Sequence, residues 1–263
     1  IVSRDWSSDV CSSDLWTIQE LQSIIGEEDT QFIQNIFNLT PEGNFKDEAS
    51  GQFTGKNIFH LKTPISNPKD LKKISQIREK IFHVRKKRIH PLKDDKILTD
   101  WNGLMIAAMA KAGVAFQDNV LIESAEKSAK FIFNNLMDKN GRLQKRYRKG
   151  KSGLDAHLDD YAFFVWGLLE LYEATFKIEY LKNAIQLSDI MVSEFWNESS
   201  GGFYLGSDQT EKLIVRAMTG YDGAIPSGNS IAAMNLLKLT RITGEIKWAE
   251  MAEIGRASCR ERV

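Results

Sequence analysis

The feature that most limits what this chain can become is a helical plan stated three times. LTDWNGLMIAAMAKAG occupies 98–113, LDDYAFFVWGLLELYEATF occupies 158–176, and IPSGNSIAAMNLLKLTRITG occupies 225–244. Each opens on a small polar and aromatic cluster and continues as a largely apolar helix. A more charged helix follows: about 119–137 in the first unit, with Glu123, Glu126, Lys127 and Lys130 on one face, and about 178–196 in the second. A strand and a turn close the first unit, GRLQKRYRKGKSG at 141–153, and GGFYLG at 201–206 repeats this in the second. Ala125-Glu126-Lys127 and Ala184-Ile185-Gln186 occupy matching places, an offset of about 59 residues. The third unit stops inside its outer helix, at WAEMA.

Helical hairpins repeated at such a period cannot bury their apolar faces alone, so they stack. The 103–116 run, GLMIAAMAKAGVAF, is apolar nearly all round and is expected to be buried, whereas its charged successor should be half exposed. Alternating buried and half-exposed helices imply inner and outer layers. The fold class expected is all-α: part of an (α/α)6 toroid of helical hairpins, with short β-hairpins between units. An open superhelix is the competing architecture. Inner helices without a polar face favour the closed form, because the concave helices of a solenoid face water.

Residues 16–97 read differently, as an insert or connecting segment ahead of the toroid hairpins at 98–252. WTIQELQSIIGEE predicts a short helix, with Thr17 and Glu20 spaced as a capping box. DTQFIQNIFN, 29–38, predicts a second. Gly, Asn and Asp turn formers follow in 41–62, ending in a strand-like run at Asn57–Lys62. A charged amphipathic helix is expected over 68–88, and HPLKDD at 90–95 is a loop. The two ends stand apart. RDWSSDVCSSDL at 4–15 and EIGRASCRERV at 253–263 do not continue the adjoining pattern and resemble in-frame translations of sequencing-library adapters. Segments 1–15 and 253–263 are therefore set aside from fold reasoning. The natural part is read as roughly 16–252, a piece of a longer protein.

Both cysteines, Cys11 and Cys259, lie in those end segments. The remainder has no disulfide, Cys-based zinc site or thiol nucleophile. Setting the segments aside leaves 31 basic and 30 acidic residues. So even a balance gives no electrostatic case for nucleic acid or an anionic membrane as partner. The basic run RKKR at 85–88, with Lys72, Lys73, Arg78 and Lys80, reads as the solvated face of one helix. No apolar run is long enough to span a bilayer, and a cytoplasmic location is the working expectation. His60, His83, His90 and His157 show no metal-ligand spacing; no phosphate cradle, HExxH or serine elbow is present. No metal or cofactor is expected.

Candidate chemistry gathers at the three helix openings. At the first, Thr99 or Asp100 reads as an N-cap. Capping leaves Trp101 and Asn102 unexplained; an indole face beside an amide suits a sugar ring, although Trp101 serves equally as a core wedge. The second cluster is Asp155, His157, Asp159, Asp160 and Tyr161. Two adjacent carboxylates suit the helix dipole, yet exceed what one cap needs. Glycoside hydrolysis needs two carboxyl groups across the scissile bond. Neighbours on one helix diverge, so the partner of Asp159 or Asp160 should come from another unit. The third cluster offers Asp222, ahead of Pro226 and Ser227 and not needed as the cap. Tyr221 and Asn229 flank it, with Gly223 and Gly228 letting backbone approach a ligand. Arg216 is placed to orient Asp222 or to bind a substrate carboxylate. His157 is a candidate base for epimerase-like proton abstraction. The expected roles are Asp160 and Asp222 as acid and base, Trp101 and Tyr161 as stacking groups, and Asn102 and Asn229 as hydroxyl binders. Asp100, Lys96 with Asp94 and Asp95, and Tyr221 are supporting candidates.

TDWNGLMIAA, DDYAF with GLLELYEAT, SEFWNESSGGFY and YDGAIPSGNS resemble the helical part of YyaL-like proteins, the relatives of spermatogenesis-associated protein 20. The resemblance covers nearly all of 16–252. It implies a thioredoxin-like domain preceding a six-hairpin (α/α)6 toroid, itself similar to N-acylglucosamine 2-epimerases and six-hairpin glycosidases. It further implies that this chain holds middle hairpins, that the thioredoxin-like domain is a partner within the full-length protein, and that a sugar is the ligand. The competing class is a non-catalytic binding or interaction module serving that domain.

Overall fold

The computed structural model describes residues 14–47, 50–90, 93–207, 209 and 215–260, with side chains as far as residue 253. Cys11 and most of the adapter-like head lie outside the described residues. The chain divides into two compact units, one through Asp94 and one from Asp95 onward.

The first unit holds α1 (Ile18–Ile25), α2 (Glu27–Ile36) and α3 (Pro68–Arg85). Thr17 caps α1 by accepting the Glu20 amide at 3.2 Å. Asn67 caps α3, and Pro68 sits in its first turn, where its missing N–H costs nothing. Leu21, Ile33 and Ile77 meet Trp16 and Leu39 in a small core. The strand expected at Asn57–Lys62 forms only isolated bridges, Trp16 with Asn57 and Phe37 with Leu61. Side-chain amides add to these bridges. The buried Asn57 amide serves Thr40 N and Thr40 O, and Asn44 serves Ile58 N and Ile58 O. The expected solvated basic face is partly tethered: Lys73, Lys80, Arg85 and Arg88 each meet a carboxylate.

The second unit carries the repeat. Its hairpins are α4 (Thr99–Phe116) with α5 (Asn119–Asn135), α6 (Leu158–Thr175) with α7 (Ile178–Phe195), and α8 (Gly228–Thr243) with α9 (Ile246–Arg260). Helix α9 runs on through the adapter-like tail to Arg260, against the expectation that this segment breaks the pattern; Ala, Arg and Glu there are good helix formers. Between the first two hairpins lies an antiparallel sheet in the order β1 (Ile97–Leu98), β2 (Gln144–Arg148), β3 (Lys151–Asp155). Lys149-Gly150 makes the two-residue turn, both residues at positive φ as a type I′ hairpin requires. The 201–206 segment forms only a bridge from Phe203 to Trp196.

Helix α6 is the central stave. It packs against α4, α5, α7 and α8 and is buried from Leu158 to Leu171 save Asp159 and Trp166. Two glycines let α4 and α6 cross at backbone distance. A Cβ on Gly103 would lie 2.5–2.7 Å from the Phe163–Phe164 backbone, and one on Gly167 would lie 3.0 Å from Gly103 O. Near the later ends of the three inner helices, Glu170 of α6 accepts from Lys238 of α8 at 2.8 Å and pairs with Lys111 of α4 at 3.5 Å. Their N-terminal ends also meet, as described below, so α4, α6 and α8 run parallel: inner staves of a partial toroid. Helix α4 departs from expectation. Only one face, with Ile106, Ala107 and Ala110, is buried; Trp101, Met105, Ala108 and Ala115 on the other are exposed.

Candidate functional site

The three helix openings are laced together by carboxylates. Asp160, wholly buried, accepts the Asp100 amide of α4 at 3.0 Å on one oxygen and the His157 amide of α6 at 2.8 Å on the other. One side chain thus satisfies free N–H donors at two helix starts. Helix α4 has no side-chain cap of its own; Thr99 lies inside the helix and donates instead to Gln144 O at 2.5 Å. Lys145 of β2 sits between Asp100 and Asp160, 3.4 Å from a carboxylate oxygen of each. Asp159, next along α6, accepts the Gly228 amide at the start of α8. A Cβ at Gly228 would lie 2.2 Å from the Asp159 carboxylate, so glycine there admits Asp159 rather than a ligand. Asp222 accepts the adjoining Ser227 amide at 2.8 Å and the Ser230 hydroxyl at 3.1 Å. Asp159 and Asp222 therefore take successive amides of one helix start.

Burial sets the electrostatics. It pushes the Asp160 carboxyl up to about 7, outweighing Lys145 and the amide donors. It raises Asp159 as well. Desolvation, then the Lys145 charge, hold the His157 imidazole below its ordinary value. Burial draws the Lys145 ammonium down, but Asp160 and Asp100 outweigh it and leave it above the usual lysine range. Asp222 is depressed by the amide and hydroxyl it accepts. Burial thus moves two half-buried neighbours in opposite directions, Asp159 upward and His157 downward, and narrows the gap between their proton affinities.

Several candidates are occupied otherwise than the sequence suggests. Tyr161 is 2% exposed and its hydroxyl accepts the Leu143 amide, so it has no face for stacking. Asn102 donates to Leu98 O and accepts from Ser128. Asn229 binds Phe203 N, Phe203 O and Thr219 O, pinning the loop ahead of α8. Both amides are consumed by the fold. Arg216 reaches Gly206 O and Glu194 O and stacks on Tyr204, 4.0 Å from its centroid; it does not orient Asp222. The expectation that α8 does not need Asp222 is corrected by its bonds to Ser227 and Ser230. Asp95 pairs with Arg148 across the sheet edge. Trp101, 63% exposed, and Tyr221, 75% exposed, remain the open aromatic faces. Lys145 escaped sequence reasoning. Its only signal in the sequence is a lysine in the 141–153 strand-and-turn run that leads into the second acidic cluster.

Among the described residues no helix is long and apolar enough to cross a membrane, and no group of three or more His, Cys, Asp or Glu side chains is placed to hold a metal. No family model matches the chain. Among solved structures, a cellobiose 2-epimerase from Bacillus thermoamylovorans aligns with a TM-score of 0.53 and 19% identity, over 63% of this chain and 45% of that one. A family 76 glycoside hydrolase from Bacteroides thetaiotaomicron aligns with a TM-score of 0.54 and 15% identity, over 66% and 37%. These likenesses establish the (α/α)6 toroid fold. In sequence, the chain is 31% identical to human spermatogenesis-associated protein 20 over 266 residues, 90% of this chain and 34% of the relative. An uncharacterised Caenorhabditis elegans protein is 30% identical over 262 residues, 90% and 36%. The chain spans about a third of the length of these relatives. With the toroid hairpins and nine-tenths of its length in register with them, the chain is a homologue of spermatogenesis-associated protein 20.

Proposed function

We propose that the rim formed by the starts of α4, α6 and α8 binds a carbohydrate and performs acid–base chemistry on it, of the epimerase or glycosidase kind. The observation that carries this reading is the lacing itself. Carboxylates of α6 reach the helix starts on both sides, so the polar clusters of three units share one rim. The fold neighbours, a sugar epimerase and a glycoside hydrolase, support it. Asp159 serves as acid and His157, held neutral, as base. Asp222 is the second carboxylate and Trp101 the stacking face. Asp160, buried and bound to two amides, is a positioning residue, with Lys145 neutralising it and Asp100.

Incubation with reducing disaccharides, hexoses and aryl glycosides, followed by proton NMR of the products, tests the proposal. Turnover should appear and fall at least about 100-fold in Asp159→Asn and in His157→Gln, as expected for lost general acid or base. No turnover and no sugar binding would overturn it. A second reading has its own support: Asn102, Asn229 and Arg216 are spent on backbone contacts, which favours a non-catalytic module coupled to a thioredoxin-like domain of the full-length protein. Sugar binding without turnover, unchanged in Asp159→Asn, would favour that reading.

A further inference from the structure

The first unit contains a cavity of about 340 Å³ that no role in the toroid explains. Trp16, Phe37 and Phe59 wall one side; Ile74, Ile77 and Ile81, spaced along one face of α3, wall the other. The Phe37 and Phe59 rings meet edge to face, 5.3 Å between centroids, so that wall is preformed. Its size falls within the roughly 300–1,000 Å³ range of small-molecule sites, and such sites pair an apolar lining with few polar groups.

Arg78 and Arg85 of α3 are the polar groups here. Arg85 meets Asp14, whereas Arg78, solvent-exposed, meets no carboxylate among the described residues. Of the other cations on α3, Lys73 and Lys80 meet Asp29, while Lys69 and Lys72, which do not line the cavity, meet no carboxylate among the described residues; beyond the helix end Arg88 meets Glu20. Arg88 also covers the Trp16 ring, 3.6 Å from its centroid. A guanidinium lacking a carboxylate beside a carbon-lined hollow defines the complement: a medium-chain aliphatic or aromatic monocarboxylate. Its body removes the apolar walls from water, and its head forms a charge-assisted fork with Arg78. We propose that this cavity binds such an amphipathic acid, independently of the sugar reading of the rim.

Decanoate and its uncharged analogue decanol, titrated into the whole chain by calorimetry below their aggregation concentrations, provide the test. Decanoate should bind one to one and more tightly than decanol. Arg78→Ala should weaken decanoate about tenfold, near 1.4 kcal/mol, and leave decanol unchanged. Ile74→Trp should fill the cavity and abolish both, with circular dichroism showing the helices intact. Absence of decanoate binding overturns the proposal, as does binding indifferent to both substitutions. Should Ile74→Trp unfold, Ile81→Phe serves the same purpose.

Discussion

At the scale of the residue, Asp160 shows how one side chain fixes a junction and sets a pH response. Its folded pKa, about 7, lies above the ordinary 3.8. The unfolded chain therefore gives up this proton first, and the native state binds more protons between the two values. Stability from this group falls as pH rises from about 4 to about 7, then levels. His157 acts oppositely. Its folded pKa lies below 6.5, so its contribution is present above that value and lost as pH falls below it. The two windows overlap with opposite signs, so urea midpoints of wild type should fall between pH 4 and about 7, least steeply where His157 titrates below 6.5. Asp160→Asn should remove this fall and His157→Gln should steepen it below pH 6.5; unchanged profiles in both variants would refute the assignment. Asp160 and Asp159 were legible in the sequence as a pair exceeding one cap. That Asp160 caps a helix 60 positions away from its own was not, because the amide it serves belongs to Asp100.

At the scale of the element, the α4–α6 crossing is governed by glycine. Replacing Gly by Ala in a solvent-facing helix gains about 1 kcal/mol. At Gly103 the sign reverses, because the new methyl meets main chain of α6 that cannot step aside. Gly103→Ala should cost about 1–3 kcal/mol, while Gly153→Ala, where nothing lies within 4 Å, should be close to neutral. Equal urea midpoints for the two variants would show that α4 and α6 do not approach so closely. Helix existence and order followed from periodicity alone. The 57–62 and 201–206 runs show its limit: both read as strands, yet Asn side chains take the Ile58 and Phe203 backbone groups, and each run reaches only isolated bridges.

At the scale of the whole molecule, α4 presents an apolar face that the described residues leave open. Trp101, Met105, Ala108 and Ala115 follow one another at helical spacing, a patch of the kind that drives association. Sedimentation velocity should show self-association rising with concentration, and Met105→Glu with Ala108→Glu should suppress it while leaving the helical circular dichroism intact. A monodisperse wild type at all concentrations would count against an uncovered face. The sequence by itself determined the hairpin repeat, the inner and outer classes of helix and the polar openings, because periodicity and capping are local properties of the chain. Only the tertiary structure decided which face of α4 is buried, and which polar groups at the openings are free. Burial needs a neighbour, and the backbone donors that occupy Asp159, Asp160, Asn229 and Asp222 come from turns and helix starts that proximity, not sequence pattern, brings to them.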